Sequence, residues 1–222
     1  MSVARFDLAE QPLRELNAAL HELDPTAPGD PWSIANPKGR HAIAVGVDAP
    51  VDIEIDGHVG YYCGGMNKQA RITVNGSAGV GVGENIMSGT ILVNGDVSQS
   101  AGATGRGGLI VIEGSAAARC GISMKGVDIV VKGNIGHMSA FMAQAGNLVV
   151  LGDAGDALGD SIYEANLFVR GSVKSLGADC IEKELDAEHT EILRALLDGA
   201  GLHNVATSDF RRYGSARQLY NF

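Results

Sequence analysis

The sequence has little of what an ordinary globular core or a charged binding face requires. Aromatic residues make up only 5% of it, with a single tryptophan, so there is little bulk to fill a wide interior. Basic residues are outnumbered, 17 Lys and Arg against 26 Asp and Glu, for a formal net charge of −9. Without a basic surplus to neutralise phosphates, general nucleic-acid binding is not expected. No apolar stretch approaches the ~20 residues of a membrane span. The opening MSVARFDLAEQPLRELN lacks the apolar middle of a signal peptide. Cysteines number three, an odd count that suits a reducing compartment better than a disulfide framework. Together these absences predict a soluble, cytoplasmic chain with neither nucleic acid nor membrane as a partner.

Glycine, by contrast, is abundant, at 31 of 222 residues. Seven glycines recur at a constant 19-residue step: Gly57, Gly76, Gly95, Gly114, Gly133, Gly152 and Gly171. Two residues before them stand Ile55, Val74, Val93, Ile112, Val131, Val150 and Val169, and four before them Ile53, Ile72, Ile91, Ile110, Ile129, Leu148 and Leu167. That two-residue apolar period is the mark of a strand with one buried face. Two residues after each glycine comes Val59, Ala78, Val97, Ala116, Ile135, Ala154 or Val173, and six after comes Cys63, Val82, Ala101, Cys120, Ser139, Leu158 or Gly177.

Buried side chains at the same phase of every repeat mean stacked equivalent units that bury their inner faces only together. A 19-residue unit is too short for helical-hairpin repeats and fits one coil of a β-solenoid. The predicted fold is all-β, a right-handed parallel β-helix of about seven coils over residues 39–180. At ~4.8 Å per coil those seven make a rod roughly 30 Å long. The repeated glycines would sit at corners, through a left-handed backbone or a close approach between coils. GVGVGE, residues 79–84, resembles a phosphate loop, but it runs into the strand TILVNG and not into a helix, so a corner is the better reading.

Both ends of a rod need caps. Residues 1–38 hold a helix signal beginning at Phe6, with Asp7 as its N-cap and Leu13, Leu16, Leu20 and Leu23 on one face, followed by a linker. GRHAIAVG, ending at Gly46, reads as an irregular first coil. Residues 181–222 hold a second helix capped by Asp186, striped by Ile192, Leu193, Leu196 and Leu197, and ended by Gly199 or Gly201. In the last stretch Phe210, Tyr213, Tyr220 and Phe222 crowd beside Arg211, Arg212 and Arg217. Such residues anchor protein interfaces, or they fold back over their own rod.

Side chains for chemistry do not converge. Cys63 and Cys120 lie three coils, ~14 Å, apart, too far for a disulfide or one zinc, and belong to an inner ladder. Cys180 has no partner of the kind a thiolate cluster needs. His58, His137 and His189 are scattered, surface residues or, on some β-helices, catalysts lodged between coils. Asp153, Asp156 and Asp160 form an acidic edge that offers either acid–base chemistry or a solvated corner. No nucleophile elbow or complete phosphate loop is present. No catalytic, cofactor-binding or metal-binding residue is expected.

With its phased repeat and GVGVG, the chain resembles the GXGXG family of right-handed β-helices. That family includes the C-terminal domain of the glutamate synthase large subunit and a β-helix component of formylmethanofuran dehydrogenase. The resemblance covers Gly39 to about Cys180. The flanking RELNAALH and FRRYGSARQLYNF look like the free-standing β-helix subunit of methylamine–glutamate N-methyltransferase (N-methylglutamate synthase). The resemblance implies a non-catalytic structural subunit that joins a glutamine-amidotransferase-like subunit to an FMN-binding glutamate-synthase-like barrel subunit. FMN and an iron–sulfur cluster would then belong to the partner, in a complex turning methylamine and glutamate into N-methylglutamate and ammonia. The alternatives are a β-helix subunit of a one-carbon complex like formylmethanofuran dehydrogenase, or an independent acyltransferase-like enzyme. The strict 19-residue coil argues against the latter, whose left-handed helix prefers 18.

Overall fold

A computed structural model describes residues 3–217 and bears out the parallel β-helix. The repeating strands are β3 (Asp52–Asp56), β4 (Arg71–Val74), β5 (Thr90–Val93), β6 (Leu109–Ile112), β7 (Lys125–Val131), β8 (Ala145–Val150) and β9 (Asn166–Val169). Each pairs in parallel with the next, Ile53 on Ile72 on Ile91 and Ile55 on Val74 on Val93, as the 19-residue phase requires. These inward ladders are almost fully buried. A second line of contact runs through bridges from Val59 to Ala78, Val97, Ala116, Ile135, Ala154 and Val173. The phase slips at the start of β7 and β8, where Lys125 pairs with Ala145 before a register shift, and in the last coil, where Leu158 bridges Leu176 and not the expected Gly177. That turn is one residue shorter because Gly177 packs over the backbone of Asp160, where a Cβ would lie 2.4 Å from the Asp160 Cα.

The ladder also reaches beyond the repeats. β1 (Ala4–Asp7) and β2 (Trp32–Ala35) pair in parallel ahead of β3. Phe6 therefore lies in a strand, and the first helix, α1, spans only Leu13–His21. The N-cap is Pro12, not Asp7: a proline has no N–H and clashes inside a helix, so the helix starts after it. Asp7 instead accepts from the Ala9 amide and the Asn36 side chain. Leu16 and Leu20 bury as expected, with Leu13 and Leu23 packed at the edge. Asn17 of α1 stands in for a missing coil, donating to the Ala42 carbonyl (2.8 Å) and accepting from the Ala44 amide (3.0 Å).

At the other end β10 (Cys180–Lys183) is followed by α2 (Ala187–Gly199), capped by Asp186 as predicted, and then by β11 (Arg211–Ser215). β11 runs antiparallel between β9 and β10, so the sheet order is β1 to β9, then β11, then β10. α2 lies on the outer sheet face. There Leu193, Leu196 and Leu197 meet Val111, Val130, Val149, Phe168 and Phe210 in a second core. The outward positions explain where it sits: Glu54 and Thr73 are polar, whereas β5 to β9 present Leu92, Val111, Val130, Val149 and Phe168. Strands apolar on both faces demand a cover on both sides.

Close approach, not a left-handed backbone, fixes the repeat glycines. Among the seven only Gly57 has a positive φ, of 132°. A Cβ on Gly76 would lie 2.7 Å from the carbonyl carbon of Gly57, and one on Gly171 2.3 Å from the Gly152 oxygen. Left-handed backbone appears in the opposite arc, at the fifth, seventh and ninth residues after each of the first six glycines. In one coil these are Tyr62, Gly64 and Met66, and in the next Gly81, Gly83 and Asn85.

Candidate interaction surfaces

GVGVGE forms one of these arcs, and its amides are already engaged. Gly79 N–H donates to Val59 O, Gly81 to Gln99 O, Gly83 to Cys63 O and Glu84 to Gly81 O, all at 2.9–3.0 Å. A phosphate cradle needs those same donors free. Gly81, which alone breaks the repeat pattern, is explained by its neighbour: a Cβ there would lie 2.7 Å from the ring of Tyr62. The missing side chain lets that ring lie across the coil.

Tyr62 belongs to an exposed aromatic corner. His41 stacks on Tyr61 with ring centroids 4.3 Å apart, and Tyr61 meets Tyr62 edge to face at 6.3 Å. Tyr61 and Tyr62 are 48% and 47% exposed, and Met66 and Met87 nearby are 50% and 42%. Among the described residues, half of the large exposed apolar side chains thus gather on two adjacent coils, in a chain poor in aromatics. Such clusters mark contact surfaces. The residue types alone did not reveal it, because the tyrosines fall at phases that are small or polar in most other coils.

The polar side chains weighed for chemistry are tied into the rod. His58 Nδ1 accepts from the Ser77 amide at 2.9 Å, so its position after a repeat glycine is structural. Asp96, Ser115, Asn134 and Asp153 do the same for the amide one coil on. The Asp153 carboxyl is held below its usual range, first by the Ser172 backbone amide and then by that residue's hydroxyl. Asp156 is held low chiefly by Lys174, with which it pairs at 2.8 Å, and Asp160 accepts from the Ala178 amide. His189 donates its amide to the capping Asp186 carboxylate at 2.9 Å and sets its ring Nδ1 2.6 Å from the same oxygen, and His137 is exposed. Burial pushes the Cys63 and Cys120 thiols to about 12 and that of Cys180 to about 11, which keeps them protonated. Among the described residues no His, Cys, Asp and Glu group has metal-site geometry, and no helix is long and apolar enough to cross a membrane.

The terminal segment folds back on its own rod. Phe210 and Tyr213 are buried, Phe210 in the second core and Tyr213 in the first. Arg211 is exposed, donates to Gly171 O at 3.0 Å and lies 5.9 Å over the Tyr213 ring. Arg217 pairs with Asp179 at 3.0 Å. Arg212 grips Asn166, the end of a ladder in which Asn166 donates to Asn147 and Asn147 to Asp128. Tyr220 and Phe222 fall outside the described residues.

No family model matches the chain. A protein of Rhizobium meliloti (strain 1021), Protein GlxC, is 64% identical over 217 residues, 98% of this chain and 95% of its own length. The chain belongs to the GlxC family. Because the match is nearly end to end, the GlxC relative spans both capping helices and the β10–β11 closure as well as the coils.

Proposed function

We propose that the chain is a non-catalytic structural subunit of a glutamate-synthase-like enzyme, of the N-methylglutamate synthase type. In this reading it joins a glutamine-amidotransferase-like subunit to an FMN-binding barrel subunit. Flavin and the iron–sulfur cluster reside in the barrel subunit, and this chain carries neither. The observation that supports the reading is the exposed corner of His41, Tyr61, Tyr62 and Met66 on a rod whose polar side chains serve its own coil-to-coil ladders. Rigidity suits the role. Among the described residues eleven hydrogen-bonded strands make ten steps of ~4.8 Å, a sheet about 48 Å across. Such a body holds two active sites at a fixed separation, over which ammonia or amine passes between partners.

The test is affinity capture of the full chain from its host, wild type against Tyr61→Ala/Tyr62→Ala. Wild type is expected to retain an amidotransferase-like and a flavin-containing barrel protein. The double variant is expected to lose at least one of them while melting at the wild-type temperature. Capture of molybdopterin or formyltransferase proteins instead would assign the chain to a one-carbon complex. Methylamine-dependent turnover by the isolated chain would overturn the scaffold role.

A further inference from the structure

A small polar cavity of about 40 Å³ opens where the β11 segment crosses the end of the rod. A single water needs about 10–15 Å³, so the space accepts a group of a few heavy atoms. Its walls include Tyr163, Asn166, Lys183, Arg212, Ser215 and Arg217, three of them cationic in a chain of net charge −9. Arg217 is neutralised by Asp179. The other two have no direct ion pair, although the Asp186 and Glu188 carboxylates act on Arg212 through space. Lys183 Nζ donates to the Ser215 carbonyl at 3.1 Å. The half-buried Arg212 guanidinium donates to Asn166 Oδ1 at 3.0 and 3.2 Å and to the Glu184 carbonyl at 3.0 Å. All these acceptors are neutral. Among the described residues neither cation has a carboxylate within ion-pair distance, although Glu164 stands at the rim.

We propose that this cavity is a binding site for the oxyanion head group, carboxylate or phosphate, of a small ligand. A guanidinium has five N–H donors and an ammonium three. The bonds above leave Arg212 and Lys183 with donors to spare, beside the Tyr163 and Ser215 hydroxyls. An oxyanion accepting from both cations gives each a direct charged partner through short, charge-assisted bonds. The anchor is rigid, because Arg212 is fixed through β11 and the Asn166–Asn147–Asp128 ladder. The proposal requires no partner protein, so its fate is separate from that of the scaffold reading.

The experiment is calorimetric titration of the full-length chain with sodium phosphate and, separately, sodium acetate, at ionic strength held constant with sodium chloride. Lys183→Gln and Glu164→Gln are titrated alongside. Saturable binding by wild type is expected, about tenfold weaker in Lys183→Gln through loss of one charge-assisted contact. The Lys183→Gln melting temperature without anion should fall only slightly, since the residue is exposed and gives up a single bond, to the Ser215 carbonyl. Acetate binding alone marks a carboxylate site, and phosphate binding a tetrahedral one. Absence of saturable binding overturns the proposal, as does equal binding by Lys183→Gln, which means an adventitious ion only. Binding seen only in Glu164→Gln assigns the cavity to the rim carboxylate itself and also overturns it.

Discussion

Gly76→Ala isolates what the 19-residue glycine is for. A Cβ at that position would lie 2.7 Å from the carbonyl carbon of Gly57, 2.8 Å from its oxygen and 2.8 Å from the amide nitrogen of His58. All three atoms are backbone, so no rotamer change relieves the overlap. Carbon contacts settle near about 3.5 Å, so the two coils must part by roughly 0.8 Å. The neighbouring bonds from Ser77 N to His58 Nδ1 (2.9 Å) and from Val59 N to Ser77 O (3.0 Å) then stretch beyond useful length. Two bonds at about 1 kcal/mol each, plus about 1–3 kcal/mol for overpacking, give a loss of roughly 3–5 kcal/mol. At about 2–4 °C per kcal/mol for a chain of this length, the melting temperature should fall by at least about 6 °C. The comparison is Gly39→Ala, where φ is +70° and nothing lies within 4 Å of the added carbon. Left-handed strain alone costs about 1–2 kcal/mol. Scanning calorimetry of both variants is the assay. If Gly39→Ala destabilises as much as Gly76→Ala, the steric account of the repeat is wrong.

Two further outcomes follow from buried titratable groups. Burial raises the Asp128 carboxyl above its unfolded value, so the folded chain binds that proton more tightly. Its contribution to stability therefore declines as pH rises through the window between the two values. Asp128→Asn should cancel that decline while keeping an acceptor for Asn147, so the variant gains stability relative to wild type as pH rises from the ordinary carboxylate range upward in denaturant titrations. A pH-independent difference refutes it. Cys63 and Cys120, raised to about 12, should resist alkylation by iodoacetamide in the native chain and react on unfolding, as read by mass spectrometry. Rapid native labelling of either would place it outside the inner ladder.

The coils were legible because a solenoid writes the same constraint at the same phase in every repeat: Ile53, Ile72 and Ile91 meet the same neighbours, so their identity carries the fold. The α2 cap was legible from Asp186 and its leucine stripe for the same local reason. The first helix was misplaced because Leu13, Leu16 and Leu20 fix its face but not its start, which Pro12 sets. β1 went unseen because Phe6 has only Ile34, 28 residues on, as its partner, outside the repeat. The second core was written in Leu92, Val111, Val130, Val149 and Phe168, whose outward apolar column departs from simple alternation. The aromatic corner and the Lys183–Arg212 cavity depend on which corners meet in space. No period records that, and the non-glycine residues at positive φ, Tyr62 and Met66 among them, carry no local signal for it.

Asn17 closes the stack with one amide group where another full turn of chain would otherwise be required. The number of turns between the two lids is thus independent of the lids themselves. Duplicating the segment from Gly95 to Glu113 should lengthen the molecule by about 4.8 Å and leave both tips unaltered. The protein is in effect a gauge block whose length can change only in whole increments.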